Sequence, residues 1–235
     1  VIYTPTGGYG ANFNITTSVS DGVVPAITGI KSVSVNNPPT AANKDAAETY
    51  TEDASLNLTN IIVADVEDNP VTATLTLSTI AAGSLTTGTF GGTTSTFNAG
   101  TGTWSASGAI ADVNSALAAV SFVPTLNFNG NFTVATSVTD GFSAPVTGTK
   151  FMTGTPVNDA PLAANLSAAQ AYTEDTPLDL TDIVVTDADI GGTITATLTL
   201  SNTAAGSLST ATSGAVTSTY NAGTGVWSAI GAVAD

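Results

Sequence analysis

The sequence contains no cysteine and no histidine, and its only basic residues are three lysines. Without thiols or imidazoles, the chain cannot form a disulfide framework or a zinc site of the Cys/His type. Lys31, Lys44 and Lys150 are too few to neutralise a run of phosphates, which argues against binding to nucleic acid or anionic membranes. Long apolar runs are missing as well, since no stretch reaches the roughly 18 residues typical of a membrane-spanning helix.

Charged residues of either sign are scarce, at 9% of the chain, and most of them are acidic. Eighteen Asp and Glu residues against three lysines give a net charge of −15. Two interpretations are open at this point: the carboxylates keep the protein soluble, or they bind a hard cation such as Ca²⁺ through oxygen ligands. Hydrophobic residues make up 42% of the chain, which favours a packed core over disorder.

A repeat of about 120 residues dominates the chain. "TATLTLS" at 72–78 recurs at 195–201, and "ATSVTDG" at 135–141 matches "TTSVSDG" at 16–22. The segments "VNNPP" and "VNDAP" are rich in Asn and Pro, which is typical of domain boundaries. We therefore predict the following organisation: C-terminal strands of one repeat at 1–35, a complete domain at 36–157, and the N-terminal part of the next repeat at 158–235.

Hydrophobic periodicity predicts mostly strands. Apolar and polar residues alternate in two segments, whose inward-facing residues are predicted to be Val71, Ala73, Leu75 and Leu77, and then Phe132, Val134 and Val138. A further strand is predicted to begin at Leu56 and to continue to Val63. Only 112–119 has a helical pattern, with Asp112 as the expected N-cap. About seven short strands per repeat indicate an all-β fold of tandem β-sandwiches.

Two tryptophans, Trp104 and Trp227, occupy equivalent positions 123 residues apart. They could be sugar-stacking platforms, which would make the chain a carbohydrate-binding β-sandwich module with host or cell-surface glycans as partners. Alternatively they are core aromatics repeated because the fold repeats, and we expect both to be buried or packed on a sheet. A glycosidase would need one carboxyl group in a pocket. The acids here lie in loops rich in Gly, Pro and Asn, so we predict no enzyme.

The acidic residues recur in loops at matching positions, and here the chain resembles a known family. The segments concerned are "YTED" at 50–53, "VNDAP" at 157–161, "VTDAD" at 185–189 and "ADVNSALAAVSFVPTLNFNGNFTVATSVTDG" at 111–141. They resemble the cadherin-like (dystroglycan-type) tandem repeats of giant bacterial surface adhesins, over nearly the whole chain. The resemblance implies Greek-key (cadherin/Ig-like) β-sandwiches, export to the cell surface, and Ca²⁺ bound at domain junctions.

The resemblance also implies two sets of Ca²⁺ ligands. The later set comprises Glu52, Asn158, Asp159, Asp187 and Asp189. The earlier set comprises Asn36, Asn37, Asp65, Glu67 and Asp140. Because Asn37 stands where the linker acid is expected, we expect the junction at 157–159 to bind calcium more tightly than the one at 35–37.

The function that these observations favour is a structural or adhesive repeat module of an extracellular surface protein or filament, stiffened by calcium. The expected partners are other copies or repeats of the same protein, arranged head to tail. Residues 1–35 carry the closing strands of a sandwich, whereas 158–235 carry the opening strands. Either one copy completes the next, or the chain is a window of a longer polypeptide. Each alternative requires 1–35 to pack with 158–235 of a neighbouring copy.

Overall fold

The computed structural model describes residues 1–189 and 191–234. Its contacts divide the chain into two compact units: unit 1, Val1–Val157, and unit 2, which begins at Asn158. Strands dominate the described residues, together with one nine-residue α-helix and two short 3₁₀ turns. The predicted all-β fold class is therefore confirmed. No helix among these residues is long and apolar enough to cross a membrane.

Unit 1 opens with an antiparallel hairpin of two seven-residue strands, β1 (Phe13–Val19) and β2 (Ile27–Val33). In the turn between them the Asp21 carboxylate accepts the backbone N–H groups of Val23 and Val24, at 3.0 and 3.2 Å. These two bonds fix the tight return of the chain. Most of the hairpin is exposed, including apolar side chains of both strands.

The rest of unit 1 forms a sandwich around one core. Its elements are β3 (Thr40–Ala42), β4 (Glu48–Thr51), β5 (Leu56–Asn57), β6 (Ile62–Ala64), β7 (Val71–Leu77), a 3₁₀ turn (Ile80–Ala82), β8 (Gly83–Leu85), β9 (Thr89–Phe90), β10 (Thr93–Thr94), β11 (Thr96–Asn98), β12 (Thr103–Gly108), α1 (Ile110–Ala118), β13 (Ser121–Pro124), β14 (Phe132–Thr139) and β15 (Val146–Thr155). The main sheet has the order β11-β12-β7-β14-β15-β4, antiparallel except for the parallel pair β15–β4. The smaller sheets are β5-β13-β8, β3-β6 and β9-β10.

The core contains the residues that the alternation predicts. The inward residues of β7 and β14 are all buried, from Val71 to Leu77 and from Phe132 to Val138. Tyr50 and Phe122 add their rings to that of Phe132, with centroids 5.0–5.8 Å apart. Such edge-on and tilted contacts are the favoured aromatic arrangements, and they fill the end of the core next to β13.

Two of the sequence-based details are wrong. Asp112 is not the N-cap of the helix; α1 begins at Ile110, Ala109 is its N-cap, and the Asp112 carboxylate accepts the N–H of Gly92 at 2.8 Å. The expected strand from Leu56 to Val63 is divided, because β5 pairs with β13 whereas β6 pairs with β3 in another sheet. Leu58 and Ile61 are still buried in the crossing between the two sheets, which is why the apolar pattern continues there.

A buried ion pair joins two strands of the main sheet. Lys150 in β15 is 0% exposed, and its ammonium group donates to a Glu48 carboxylate oxygen at 2.9 Å and to the Thr59 carbonyl at 3.0 Å. The N–H and hydroxyl of Thr59 donate in turn to Glu48, at 2.8 and 3.1 Å. A buried ion pair needs such additional hydrogen bonds to offset the cost of removing it from water. The pair ties β15 to β4.

Unit 2 repeats part of this architecture. Its elements are β16 (Leu162–Ala164), β17 (Val184–Thr186), β18 (Ile194–Thr199), a 3₁₀ turn (Thr203–Ala205), β19 (Thr212–Ser213), β20 (Val216–Thr217), β21 (Thr219–Asn221) and β22 (Val226–Gly231). Its sheets are β16-β17, β18-β22-β21 and β19-β20. They correspond to β3-β6, β7-β12-β11 and β9-β10 of unit 1, so the sequence repeat is also a structural one.

Candidate metal sites in the acidic loops

The earlier set of predicted ligands lies together in unit 1, at the start of the sandwich. Asn37 follows the hairpin and contacts Glu67 in the loop between β6 and β7: its N–H and its side-chain amide donate to the two Glu67 oxygens, at 3.0 and 2.6 Å. The backbone N–H of Glu67 donates to the Asp65 carboxylate at 2.9 Å. The bonds from the Asn37 backbone and side chain lower the pKa of Glu67.

Asp140 joins this set from the turn after β14. The side-chain amide of Asn36 donates to one Asp140 oxygen at 2.6 Å, and the N–H groups of Phe142 and Ser143 donate to the other, both at 2.9 Å. The bond from Asn36, followed by that from the Ser143 backbone, lowers the pKa of Asp140 to about 2. Since the Asn36 amide also donates to the carbonyl of Asn37, the five predicted residues form one network.

Neutral amides satisfy most of the carboxylate oxygens in this network. One oxygen of Asp65 is buried and has no hydrogen-bond partner among the residues that the structure describes. Two further members of the network were not among the predicted ligands: Asn69 donates to the side-chain oxygen of Asn36 at 2.8 Å, and Ser143 accepts from the Asn36 amide at 3.0 Å. Asn69 could have been found from its place in the same acidic loop, immediately before a proline.

The later set has the same backbone frame in unit 2. Asp159 donates its N–H to Asp189 at 2.6 Å, and Asp189 donates its own to Asp187 at 2.9 Å. The Asn158 amide donates to the Asp159 carbonyl at 2.9 Å, as Asn36 does in unit 1. Two side chains differ. Asp189 replaces Glu67 with another acid, whereas the carboxylate of Asp159 stands where unit 1 has the amide of Asn37.

That difference changes the electrostatics of the loop. A carboxylate oxygen of Asp159 lies within 4.8 Å of one of Asp189, and an ionised carboxylate accepts hydrogen bonds but donates none. Two carboxylates at this distance repel each other, and a bound cation relieves the repulsion. Carboxylate and carbonyl oxygens are also the ligands that Ca²⁺ prefers. The donor set in unit 2 therefore fits a hard cation better than the amide-filled set in unit 1.

Glu52, the remaining predicted ligand, follows β4 in unit 1. It is 2% exposed; one of its oxygens accepts the N–H of Val157, and the other has no partner within the described part of the chain. Its neighbour Asp53 is already used in the fold, because it accepts the N–H of Asn127 at 2.9 Å. A buried carboxylate oxygen without a hydrogen bond is costly, and a cation would satisfy it.

The tryptophans offer no comparable site. Trp104 is 0% exposed, as predicted, and its indole N–H donates to the Thr86 carbonyl at 3.0 Å. Trp227 is half-buried, and its indole makes the equivalent bond to the Ser209 carbonyl, also at 3.0 Å. A sugar cannot stack on the buried ring of Trp104, so the carbohydrate-binding alternative loses half of its basis.

No protein-family model and no curated protein matches the sequence. Among solved structures, the chain is similar to the protocadherin gamma B2 extracellular cadherin domains 1–5, with 12% identity and a TM-score of 0.36, over 94% of this chain and 38% of that one. It is also similar to the human desmocollin-1 ectodomain, with 14% identity and a TM-score of 0.37, over 92% of this chain and 39% of that one. The chain thus spans about two fifths of the length of these ectodomains. Similarity of this degree transfers no function to it.

Proposed function

We propose that this chain is a structural or adhesive repeat module of an extracellular surface protein or filament, and that its acidic junction loops bind Ca²⁺. Its partners are other copies or repeats of the same protein, arranged head to tail. The observation that carries the calcium proposal is the pair Asp159 and Asp189, two carboxylates with oxygens within 4.8 Å of each other, where unit 1 has an amide bonded to a carboxylate.

In unit 2, Asp159, Asp187 and Asp189 are the proposed carboxylate ligands. Asn158 would add its side-chain oxygen, since its amide group already donates to the Asp159 carbonyl. Ca²⁺ takes roughly 6–8 oxygens and accepts carboxylates, carbonyls and water together, so these residues can supply part of a shell that water completes.

In unit 1, Glu52 is proposed as a ligand through its oxygen that lacks a hydrogen bond. The set of Asn36, Asn37, Asp65, Glu67 and Asp140 is proposed as a weaker site, or as one that needs no ion. The side-chain amides of this set already donate hydrogen bonds to the carboxylates of Glu67 and Asp140, so these carboxylates do not need a cation to be satisfied. The proposed domain limits remain 36–157 for the complete module, with 1–35 and 158–235 on either side.

Calcium would stiffen such a module by fixing loops that otherwise carry mutually repelling charges. A rigid junction keeps successive modules aligned, which suits a fibre or an adhesin that must reach away from a surface. The same acidic surface also favours solubility outside the cell, where millimolar calcium is available to extracellular modules of modest affinity.

Thermal unfolding in Ca²⁺ and in chelator tests the proposal. A ligand that binds only the folded state raises stability by RT ln(1 + [L]/Kd), or about 2.7 kcal/mol at a hundredfold excess over Kd. We expect a higher Tm in calcium, and we expect Asp189→Asn to remove most of the increase. Asp68→Asn is the matched control: it removes the same charge from an exposed loop position outside the set, whose left-handed backbone (φ 55°) asparagine tolerates. Identical melting curves in calcium and chelator would leave the acids with a solubilising role only.

A further inference from the structure

The chain contains one Asn–Gly pair, Asn129–Gly130, which lies in the loop between β13 and β14. Such a pair can rearrange without a catalyst, because the backbone nitrogen of the glycine is able to reach the amide carbon of the asparagine side chain. Glycine favours this approach, since it has no Cβ and its backbone adopts conformations that other residues rarely visit. A spontaneous change of covalent structure therefore meets the least steric hindrance at this pair.

Both reacting groups are available in the folded protein. Asn129 is exposed, Gly130 is half-buried, and residues 128–131 belong to no helix or strand. Within the part of the chain that the structure describes, neither the Asn129 side-chain amide nor the Gly130 N–H makes a hydrogen bond. The glycine nitrogen can thus lose its proton, and the asparagine side chain can turn towards it, without breaking a hydrogen bond to a described residue.

The two Asp–Gly pairs in the chain, Asp21–Gly22 and Asp140–Gly141, show the opposite arrangement. In each of them the glycine N–H is already engaged: it donates to the hydroxyl of Ser20 in the first pair and of Thr139 in the second, both at 3.0 Å. Their carboxylates also carry a negative charge at neutral pH, which disfavours attack by a nucleophile. The structure therefore protects both Asp–Gly pairs and leaves Asn129–Gly130 open.

The loop is nevertheless tied to the sandwich at this point. The hydroxyl of Tyr50, a core residue, donates to the Gly130 carbonyl at 2.6 Å. The Asn129 carbonyl packs so closely on Gly154 in β15 that a Cβ built on Gly154 would lie 2.1 Å from its oxygen. A change in the backbone between Asn129 and Gly130 would alter both contacts, so it would affect β4 and β15 as well as the loop.

The preceding repeat shows that the fold does not require this pair. The β1–β2 hairpin pairs in the same register as β14–β15, and the residues equivalent to Asn129–Gly130 are Gly10–Ala11. An alanine at position 130 also fits sterically: its Cβ would lie 3.1 Å from Cζ at the tip of the Phe128 ring, which needs to move only slightly. Gly130→Ala therefore removes the reactive pair with little disturbance to the fold.

We propose that Asn129 deamidates spontaneously in the folded protein. The Gly130 nitrogen forms a bond to Cγ of Asn129, the bond between Cγ and the side-chain nitrogen breaks, and that nitrogen leaves as ammonia with the proton that Gly130 has lost. A water molecule then opens the resulting cyclic imide at either of its two carbonyl carbons. One opening yields aspartate at position 129, and the other yields isoaspartate, whose main chain continues through the side chain.

The products differ from asparagine in charge and, for isoaspartate, in the path of the chain. Either product adds a carboxylate to a loop that already contacts one, because the N–H of Asn127 donates to Asp53 at 2.9 Å. Isoaspartate also lengthens the backbone by one carbon atom, which the close contact at Gly154 cannot accommodate without a shift. Molecules of different age are thus expected to differ in charge and stability. This inference is independent of the proposed function and of calcium.

Peptide mapping of the full chain, after incubation in neutral buffer, tests the site. Mass spectrometry with an isoaspartate assay is expected to find aspartate and isoaspartate accumulating at position 129. Asn127 and Asn131 are internal controls, since they belong to the same loop but precede phenylalanine, and both should remain amides. Gly130→Ala should slow the conversion by at least about tenfold, equivalent to ~1.4 kcal/mol of activation free energy.

Thermal unfolding in chelator tests the structural consequence. The Tm of the parent chain is expected to fall as isoaspartate accumulates, whereas Gly130→Ala, aged in parallel, should keep its initial Tm. Freshly prepared Asn129→Asp separates the two changes, because it introduces the charge without the longer backbone, and it should lose less stability than the isoaspartate form.

Three results would overturn the inference: Asn129 stays intact throughout the incubation, Asn127 or Asn131 converts as fast as Asn129, or Gly130→Ala converts at the rate of the parent chain. A fully converted chain with the Tm of the fresh protein would reject the predicted loss of stability, since the contacts with Tyr50 and Gly154 would then not depend on the backbone at this position.

Discussion

β7 and β18 have nearly the same sequence, since they differ only by the methylene group that distinguishes Ile194 from Val71, but their surroundings in the structure are different. Residues 71–77 read "VTATLTL" and 194–200 read "ITATLTL", and each strand pairs with its tryptophan-bearing neighbour in the same register. Yet the inward side chains of β7 are buried, whereas those of β18 are only half-buried. Two neighbours of β7 have no described counterpart in unit 2: β14, which pairs with its other edge, and α1, which packs against it.

The comparison separates what a strand forms by itself from what its neighbours provide. An alternating apolar and polar pattern, together with one antiparallel partner strand, is enough to form the strand and to set its register. Burial, and with it most of the stabilising free energy, depends on residues about 60 positions further along the chain. Among the described residues, β18 thus has the register of β7 with less burial of its inward side chains.

Removing each tryptophan should show the largest contrast. Trp104→Ala leaves a cavity in a closed core and is expected to cost roughly 3–5 kcal/mol of unfolding free energy. Trp227→Ala removes a ring that still contacts solvent, so its cost should be about 1 kcal/mol. Urea unfolding followed by circular dichroism measures both, and each variant keeps the other tryptophan as a fluorescence probe. Equal losses would mean that the core of unit 2 is closed in solution.

The two lysines offer a second contrast. Lys150→Met leaves the Glu48 carboxylate buried without its partner and is expected to cost about 3 kcal/mol. Lys31→Met changes an exposed residue, so it should alter stability by less than about 0.5 kcal/mol at concentrations where copies do not associate. Combining Lys150→Met with Glu48→Gln should recover much of the loss. If the double variant is no better than the single one, the isolated charge is not the cause.

Exchanging one side chain between the acidic loops tests the difference between the two junctions. Asp159→Asn should weaken calcium binding at least about tenfold, equivalent to ~1.4 kcal/mol, because it replaces a carboxylate with an amide that can donate to Asp189. The reverse change, Asn37→Asp, should create calcium-dependent stability at Glu67. Calorimetric titration of both variants and the parent chain measures the effect. If both variants bind calcium with the same affinity as the parent chain, the ion binds elsewhere.

The smallest effect concerns acid. The pKa of Asp140 is about 2 in the folded protein, below the usual 3.8, so its contribution to stability is present above about pH 4 and is lost as the pH falls towards 2. Asp21, its counterpart in the hairpin, keeps the two backbone bonds, and its pKa is lowered as well. The Asn36 amide is the additional partner of Asp140. Asp140→Asn should therefore flatten the acid limb of a stability–pH curve more than Asp21→Asn; equal curves would contradict this.

The sequence predicts the inward faces of β7 and β14 because period-2 alternation needs only local information. It does not predict the break between β5 and β6. Leu58 and Ile61 lie between these strands and are buried in the core, so their apolar character does not indicate a continuous strand. Asp112 is assigned to the wrong partner for a similar reason: its bond to Gly92 joins segments 20 residues apart, and no local pattern reveals it.

The acidic loops show the same limit. Repetition identifies Asp65, Glu67, Asp187 and Asp189 as loop carboxylates, and the structure brings Asn37 and Asp159 to them. The hydrogen bonds that amides make to individual carboxylate oxygens depend on side-chain geometry across the fold. The sequence therefore predicts which residues belong to each set, but not which of their oxygens remain available to a cation.

The parallel pairing of β15 with β4 has a mechanical consequence. β4 lies near the start of the sandwich, β15 leads out of it, and they pair from Met152 with Glu48 to Thr155 with Thr51, extended by the bond from the Glu52 N–H to the Thr155 carbonyl at 3.0 Å. Tension between the two ends of the module pulls two parallel strands in opposite directions along their length. The hydrogen bonds between them are then loaded in shear and must fail together, instead of opening one after another as a hairpin would when peeled. A module joined in this way resists separation of its two ends more than one whose terminal strands form a hairpin that can be peeled open.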